Sequence, residues 1–333
     1  MTNIRAVSKL AGVSVATVSR ALRKPEMVSK NTREKVLSAA KTAGYKPNMM
    51  ARNFRSKKSY SVMVLVPDIS NPFFSMVIRG VQTAAKNKGY SVLLGNTMGD
   101  VDAENELAHM LHTNQTDGII QLSARNPLAP EDRGDTAAPI VNCCECLGDG
   151  SMPTVSLDNV GASKAMTEHL LTLGHKKIAV ITGPYDSPLT TARLSGYSAA
   201  VEAANLTVDY ALVKEGDYSP ASGATATKQL LAQSVHPTAI LCFNDEMAIG
   251  AMQSIRQAGH KVPADISVTG FDDLPLSAYT HPPLTTIAQP TEEFGASAMA
   301  ILFDLMDGQE PAERNRIVPY KLIVRDSTGP AKK

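Results

Sequence analysis

From Tyr60 to about residue 320 the chain alternates short, continuous apolar runs with longer helical segments, and no other feature narrows its fold so far. Residues 62–66 are apolar at every position, as in a strand covered on both faces. Further runs that read as strands lie at 91–95, 118–122, 140–142, 155–157, 178–182, 239–243 and 267–270. Helical spacing marks 73–87, 103–114, 162–173, 190–204, 220–233, 245–258 and 291–306. Strand and helix in strict alternation predict parallel sheets with helices on both faces. So many strands exceed what one open sheet usually carries, which predicts two α/β lobes, each a doubly wound parallel sheet.

The first sixty residues have a different texture and read as all-α. Ile4, Val7 and Leu10 stand at apolar spacing on a short helix, and Gly12 suits a sharp corner after it. Ser14 is a good N-cap for a second helix, with Val18, Ala21 and Leu22 on one side. Val15, Ala16 and Arg20 then face outward near its N-terminus, the end that meets base edges when a helix-turn-helix docks in DNA. Ser29 caps a third helix whose Val36, Ala40 and Ala43 point inward, and Gly44 ends it.

Charge turns this helical pattern into a DNA-binding prediction. Residues 1–60 hold fourteen Lys or Arg against two acids, a net +12, while the whole chain is +1 and the remainder therefore −11. That asymmetry marks a basic arm that neutralises phosphates, joined to a body with no such duty. After Pro47, residues 48–55 are too short for a helix stable in water alone. They are expected to fold only on DNA and against their copy in a second subunit. Phe54, flanked by Arg52 and Arg55, has the composition of a minor-groove wedge. The expected organisation is a headpiece at 1–46, a hinge helix and linker at 47–59, and a body at 60–333.

Several classes are excluded. No apolar run approaches the roughly 18 residues that span a bilayer, and no secretory signal opens the chain, so a cytoplasmic protein without a membrane partner is expected. Cys143, Cys144 and Cys146 crowd one segment, but adjacent strand residues point to opposite faces and no matching Cys or His pair lies nearby. His109 and His112 read as a wet helix surface. Neither a metal nor a cofactor is expected.

Ligands of such folds sit on loops beyond the carboxyl ends of strands. Those loops offer the aromatic faces of Phe73 and Tyr218, the cation of Arg193, the carboxylates of Asp272 and Asp273 and the amide of Asn244. The set suits a small, flat or hydroxyl-rich molecule. It makes a poor active site: there is no phosphate-cradling glycine loop, no nucleophile elbow and no His near those loops.

The phrases Val13-Ser14-Val15-Ala16-Thr17-Val18-Ser19-Arg20-Ala21-Leu22, Gly44-Tyr45-Lys46-Pro47-Asn48, Asn71-Pro72-Phe73-Phe74, Asn244-Asp245-Glu246-Met247-Ala248-Ile249-Gly250 and Gly270-Phe271-Asp272-Asp273 occur in this order. With them the chain resembles the LacI/GalR family of bacterial transcription regulators over essentially its whole length. The resemblance implies a homodimeric repressor, located in the bacterial cytoplasm and associated with the nucleoid, whose body is like a periplasmic binding protein. Its N-lobe would span about 60–158 and 291–318 and its C-lobe about 159–290 and 319–333, with crossings near Asp158, Gln289 and Val318.

The same resemblance implies roles for single residues. Val15, Ala16 and Arg20 would read the major groove of a near-palindromic double-stranded operator. Ala51, Arg52, Phe54 and Arg55 would form the minor-groove hinge, with Phe54 where the family usually has leucine. Ser14, Thr17, Ser19, Ser29, Thr32, Tyr45 and Asn48 would contact phosphates. Phe73, Ser187, Leu189, Arg193, Tyr218, Asn244 and Asp272 would bind the effector, a nucleoside such as cytidine first and a sugar second. A partner activator at promoters is a further expectation. The rival reading, a sugar- or nucleoside-binding protein without DNA function, calls for a signal sequence and no basic head, the reverse of this chain.

Overall fold

The structure, a computed structural model, describes residues 3–23, 25–45, 58–129, 138–145, 147, 150–234 and 236–332. The chain divides into two compact units, Met1–Ser59 and Tyr60–Lys333. The hinge residues Ala51, Arg52, Phe54 and Arg55, the phosphate candidate Asn48 and Cys146 lie outside the described residues.

The head consists of α1 (Ile4–Ala11), α2 (Val15–Arg23) and α3 (Lys30–Thr42). Gly12 ends α1 at φ 64, a left-handed conformation that costs a residue without Cβ nothing. Ser14 Oγ accepts from the Thr17 N–H at 3.1 Å, and Ser29 Oγ does the same for Thr32 at 3.3 Å. Both helices thus start on a serine that satisfies an otherwise orphaned amide. Val7, Val18, Ala21, Val36, Ala39 and Ala40 form the small core. Leu10, expected inward, is instead 59 % exposed. It lies about 60° round the helix from Val7, whereas Ala11 lies only about 40° away and takes the inward place.

The body opens with β1 (Ser61–Val66), α4 (Pro72–Asn87), β2 (Ser91–Asn96), α5 (Val101–Ala108), β3 (Ile119–Gln121), β4 (Ile140–Cys144) and β5 (Thr154–Leu157). The middle comprises α6 (Asn159–Thr172), β6 (Ile178–Thr182), α7 (Pro188–Ala203), β7 (Val213–Glu215), α8 (Pro220–Leu231), β8 (Ala239–Cys242), α9 (Asp245–Gln257) and β9 (Ser267–Thr269). It closes with β10 (Thr286–Ala288), α10 (Thr291–Met306), β11 (Asn315–Val318) and β12 (Lys321–Ile323).

Two parallel sheets result, as the alternation predicts. One has the order β11-β5-β4-β3-β1-β2 and the other β7-β6-β8-β9, while β10 and β12 pair antiparallel. Val62, Val64 and Val66 face one core cluster and Met63 and Leu65 the other, which explains an apolar run with no polar alternation. The chain changes lobe after β5, between β10 and α10, and between β11 and β12. Where α10 returns to the N-lobe it meets α4 backbone to backbone: a Cβ on Gly295 would stand 2.4 Å from the Val77 carbonyl oxygen.

Four strands carry no continuous apolar run and escape the sequence reading. Three of them, β7, β10 and β12, are only three residues long, and β11 is an edge strand whose Asn315 and Arg316 are polar. Helix α5 is shorter than the expected 103–114. Asp100 starts it early by accepting from the Asp102 and Ala103 amides, and the chain turns after Ala108 until Asn114 at φ 56. Cys143 and Cys144 do not point apart as expected. Cys144, at φ 77, bends the end of β4 and brings the two sulfurs to 3.7 Å. Among the described residues no helix is long and apolar enough to cross a membrane.

Candidate functional site

In the head, the start of α2 is a surface of small and cationic side chains. Ser14, Val15, Ala16 and Arg20 are exposed, while Val18 and Ala21 on the opposite side are buried. The core packing of one helix face therefore fixes which residues the other face presents. Of the phosphate candidates, Ser29 is exposed and Thr17, Ser19, Thr32 and Tyr45 are half-buried. Ser14 and Thr17 share a hydroxyl–hydroxyl bond of 2.9 Å, and so do Ser29 and Thr32. Each pair groups hydroxyls and the positive end of a helix at one spot, an arrangement that suits an anion.

In the body, the seven effector candidates come together. Phe73, Ser187, Leu189, Arg193, Tyr218, Asn244 and Asp272 all border one cavity of about 590 Å³. Its walls are loops at the carboxyl ends of both sheets' strands, the place such folds reserve for ligands. Helix starts build much of it. Asn71 caps α4 and so sets Phe73 in the first turn, where its ring meets Phe74 edge-on with centroids 5.5 Å apart. Ser187 caps α7 by accepting from the Leu189 amide at 3.2 Å. Asn244 caps α9: its Oδ1 accepts from Met247 at 2.9 Å and its Nδ2 donates to the Tyr218 carbonyl at 2.8 Å. That second bond helps hold Tyr218 at φ 68, with its ring where a Cβ on Gly183 would otherwise stand.

Arg193 is buried and heavily engaged. Its Nε donates to Asn159 Oδ1 at 2.9 Å, its Nη1 to the Phe243 carbonyl, and its guanidinium lies 3.6 Å over the Phe271 ring. Asp272 sits at φ 113 and accepts from Gln289 Nε2 at 2.6 Å. Burial pushes the Asp272 carboxyl well above the usual range, with Arg193 drawing it back. Burial also raises Tyr218 and Glu246, the latter helped by the charge of Asp68.

Three further residues border this cavity that composition and spacing do not single out. Ser123 and Glu145 follow β3 and β4, and Gln289 lies in a crossing segment. The rule that ligands meet the carboxyl ends of parallel strands is the sequence signal that points to Ser123 and Glu145. Among the cavity's lining residues Asp68, Glu145, Asp186, Asp217, Glu246 and Asp272 stand against the single cation Arg193. The site is therefore rich in acceptors and hostile to anions.

Residues 3–48 match the family described as bacterial regulatory proteins, lacI family, and residues 167–328 match a periplasmic binding protein-like domain. The HTH-type transcriptional repressor CytR of Escherichia coli (strain K12) is 40% identical over 323 residues, 97% of this chain and 95% of that protein. The Lac repressor dimer bound to operator and the anti-inducer ONPF superposes with a TM-score of 0.85 at 31% identity, covering 98% of this chain and 99% of that one. The transcriptional regulator CelR–cellobiose complex does so at 0.75 and 30% identity, covering 98% and 100%. With a three-helix head and a two-lobed body that borders a cavity, this chain belongs to the LacI family: it is a DNA-binding transcriptional repressor, not an enzyme, and it answers to a small-molecule effector.

Proposed function

We propose that two copies of this chain bind a near-palindromic operator and that an unphosphorylated nucleoside, cytidine first, sets their affinity for it. Arg20 reads a guanine edge, Val15 and Ala16 lie against a thymine methyl, and the hydroxyls at the starts of α2 and α3 meet phosphates. Exposed apolar residues support the pairing of copies. Leu93 and Leu94 lie on the edge strand β2, and Leu276 and Tyr279 beside the C-lobe sheet are 65 % and 85 % exposed. Such surface is what a second copy would cover. Closure of the lobes on the effector alters the geometry that holds the hinges on DNA, through a coupling of about 1 to 3 kcal/mol.

The observation that carries the nucleoside is the composition of the cavity. Six acidic residues, set against one guanidinium whose donors are already engaged within the protein, disfavour a phosphate and offer acceptors to hydroxyl and amino groups. Phe73 and Tyr218 add aromatic faces for a flat base. A sugar is the second reading, favoured by the resemblance to CelR, whose structure contains cellobiose.

Thermal unfolding of the full chain with cytidine, cytidine monophosphate and cellobiose tests this. A ligand that binds only the folded state at a hundred times its Kd adds about 2.7 kcal/mol of stability. Cytidine is expected to raise the melting temperature and its monophosphate is not. A rise with cellobiose alone would replace the nucleoside by a sugar.

A further inference from the structure

Behind the N-lobe wall of the cavity lies a buried polar cluster that packing does not require. Glu104 on α5 is 2 % exposed. Its carboxylate accepts from Arg125 Nε at 3.2 Å, Arg125 Nη2 at 3.0 Å and Ser123 Oγ at 2.9 Å. Ser123 Oγ accepts from Gln121 Nε2 at 2.5 Å, and Asn142 Nδ2 donates to the Ser123 carbonyl at 2.8 Å. These bonds fix the chain on both sides of Ala124. The Ala124 N–H in turn donates to Glu145 Oε2 at 3.0 Å.

Glu145 follows β4 and borders the cavity, and among the described residues its Oε1 has no hydrogen-bond partner. Burial raises this carboxyl, while the Ala124 amide, Arg193 and Arg125 draw it back. Glu145 is half-buried and its Oε1 keeps solvent access, so a ligand donor there replaces water, whereas a ligand acceptor would face the carboxylate oxygen with no proton between them.

Resting on the reading of a nucleoside effector, we infer that Glu145 reads the base: Ala124 holds Oε2, and Oε1 is left as an acceptor that selects an amino group over a carbonyl on the ring. Glu104 is then a positioning residue, acting on the ligand only through the 123–125 segment. An amide at position 145 would turn its oxygen to the Ala124 N–H and show the ligand its NH2 group, so Glu145→Gln presents a donor where the native residue presents an acceptor. The selected edge is that of a 4-aminopyrimidine, whereas the corresponding 4-oxo ring places a lone pair against the carboxylate.

Isothermal titration of the full-length protein with cytidine and uridine, which share the ribose and differ along this edge of the base, tests the assignment. The native chain is expected to prefer cytidine by about tenfold to hundredfold. Glu145→Gln is expected to abolish or invert that ratio. Glu104→Gln is expected to shrink it, which a purely structural role, weakening both ligands alike, would not do. Equal affinities in the native protein, or an unchanged ratio in Glu145→Gln, overturn the assignment while leaving the nucleoside reading intact. Should Glu145→Gln fail to fold, an unchanged ratio in Glu104→Gln overturns it instead. Absence of binding by either nucleoside sinks the effector reading and this assignment with it.

Discussion

In the head, Val15, Ala16 and Arg20 stand exposed on α2, and among the described residues their side chains bond to nothing in the protein. In the body, Arg193 is 3 % exposed and joins Asn159, Phe243 and the face of Phe271. Asp272, Asn244 and Ser187 likewise hold the fold with the groups that border the cavity. A rigid phosphate helix can be met by a surface that only has to be presented. A small molecule must be enclosed, so its contacts are drawn from the scaffold itself. On the proposed roles of these residues, the head separates folding from recognition and the body merges them.

Salt gives the sharpest break in this comparison. If about six to ten phosphates are met, operator affinity falls by roughly three to five decades between 50 and 200 mM salt. Affinity for an uncharged effector, measured by titration over the same range, should barely move. Equal salt slopes would erase the distinction between the two units.

Substituting one arginine in each unit probes the same contrast at smaller scale. Arg193→Met leaves Asn159 Oδ1 and the Phe243 carbonyl without their donor and should cost the body about 2 to 4 kcal/mol in urea unfolding. Arg20→Ala should change stability by less than about 0.5 kcal/mol yet weaken operator binding by about 1 to 3 kcal/mol and relax preference at one base pair. A stable Arg193→Met, or a uniform loss over all DNA sequences in Arg20→Ala, would contradict the division.

Acid supplies the mildest test, because residues 1–60 contain no histidine. In the body, His175 bonds Thr238 Oγ1 through Nδ1, and Ser267 Oγ and the Gly329 carbonyl through Nε2, each at 3.0 Å. Burial holds its pKa below the ordinary 6.5, and His169 is lowered for the same reason. The unfolded chain therefore takes up protons that the folded chain refuses. The stability these residues contribute is complete above 6.5 and is lost as pH falls toward the depressed folded value. Because the raised Asp245 and Asp272 carboxyls act in the opposite sense, the test is a difference: His175→Gln should gain stability relative to the native body as pH falls through that window, and the head's melting should show no matching step.

The same difference decides what could be read from the residues beforehand. Ser14, Gly12 and the Val18–Ala21 spacing act within a few residues of chain, so the head was legible. So was the covered strand at 62–66, because burial on two faces removes polar alternation. Phe73, Arg193, Tyr218, Asn244 and Asp272 were visible as polar or aromatic residues on strand-end loops, and Ser187 and Leu189 only through family resemblance. Glu145 is marked in the sequence only by its place after a strand, because its significance rests on a bond to Ala124, which is distant in the chain. Strand β11 stayed hidden for a related reason: Asn315-Arg316-Ile317-Val318 becomes a strand only beside β5.

Gln289 lies on the stretch by which the chain passes from β10 to α10, and its amide grips the Asp272 carboxylate inside the cavity. A segment that joins the lobes and a carboxylate that borders the cavity are therefore nearest neighbours. If the proposed effector competes for this carboxylate, it would pull on the crossing segment directly, with no relay of intervening side chains.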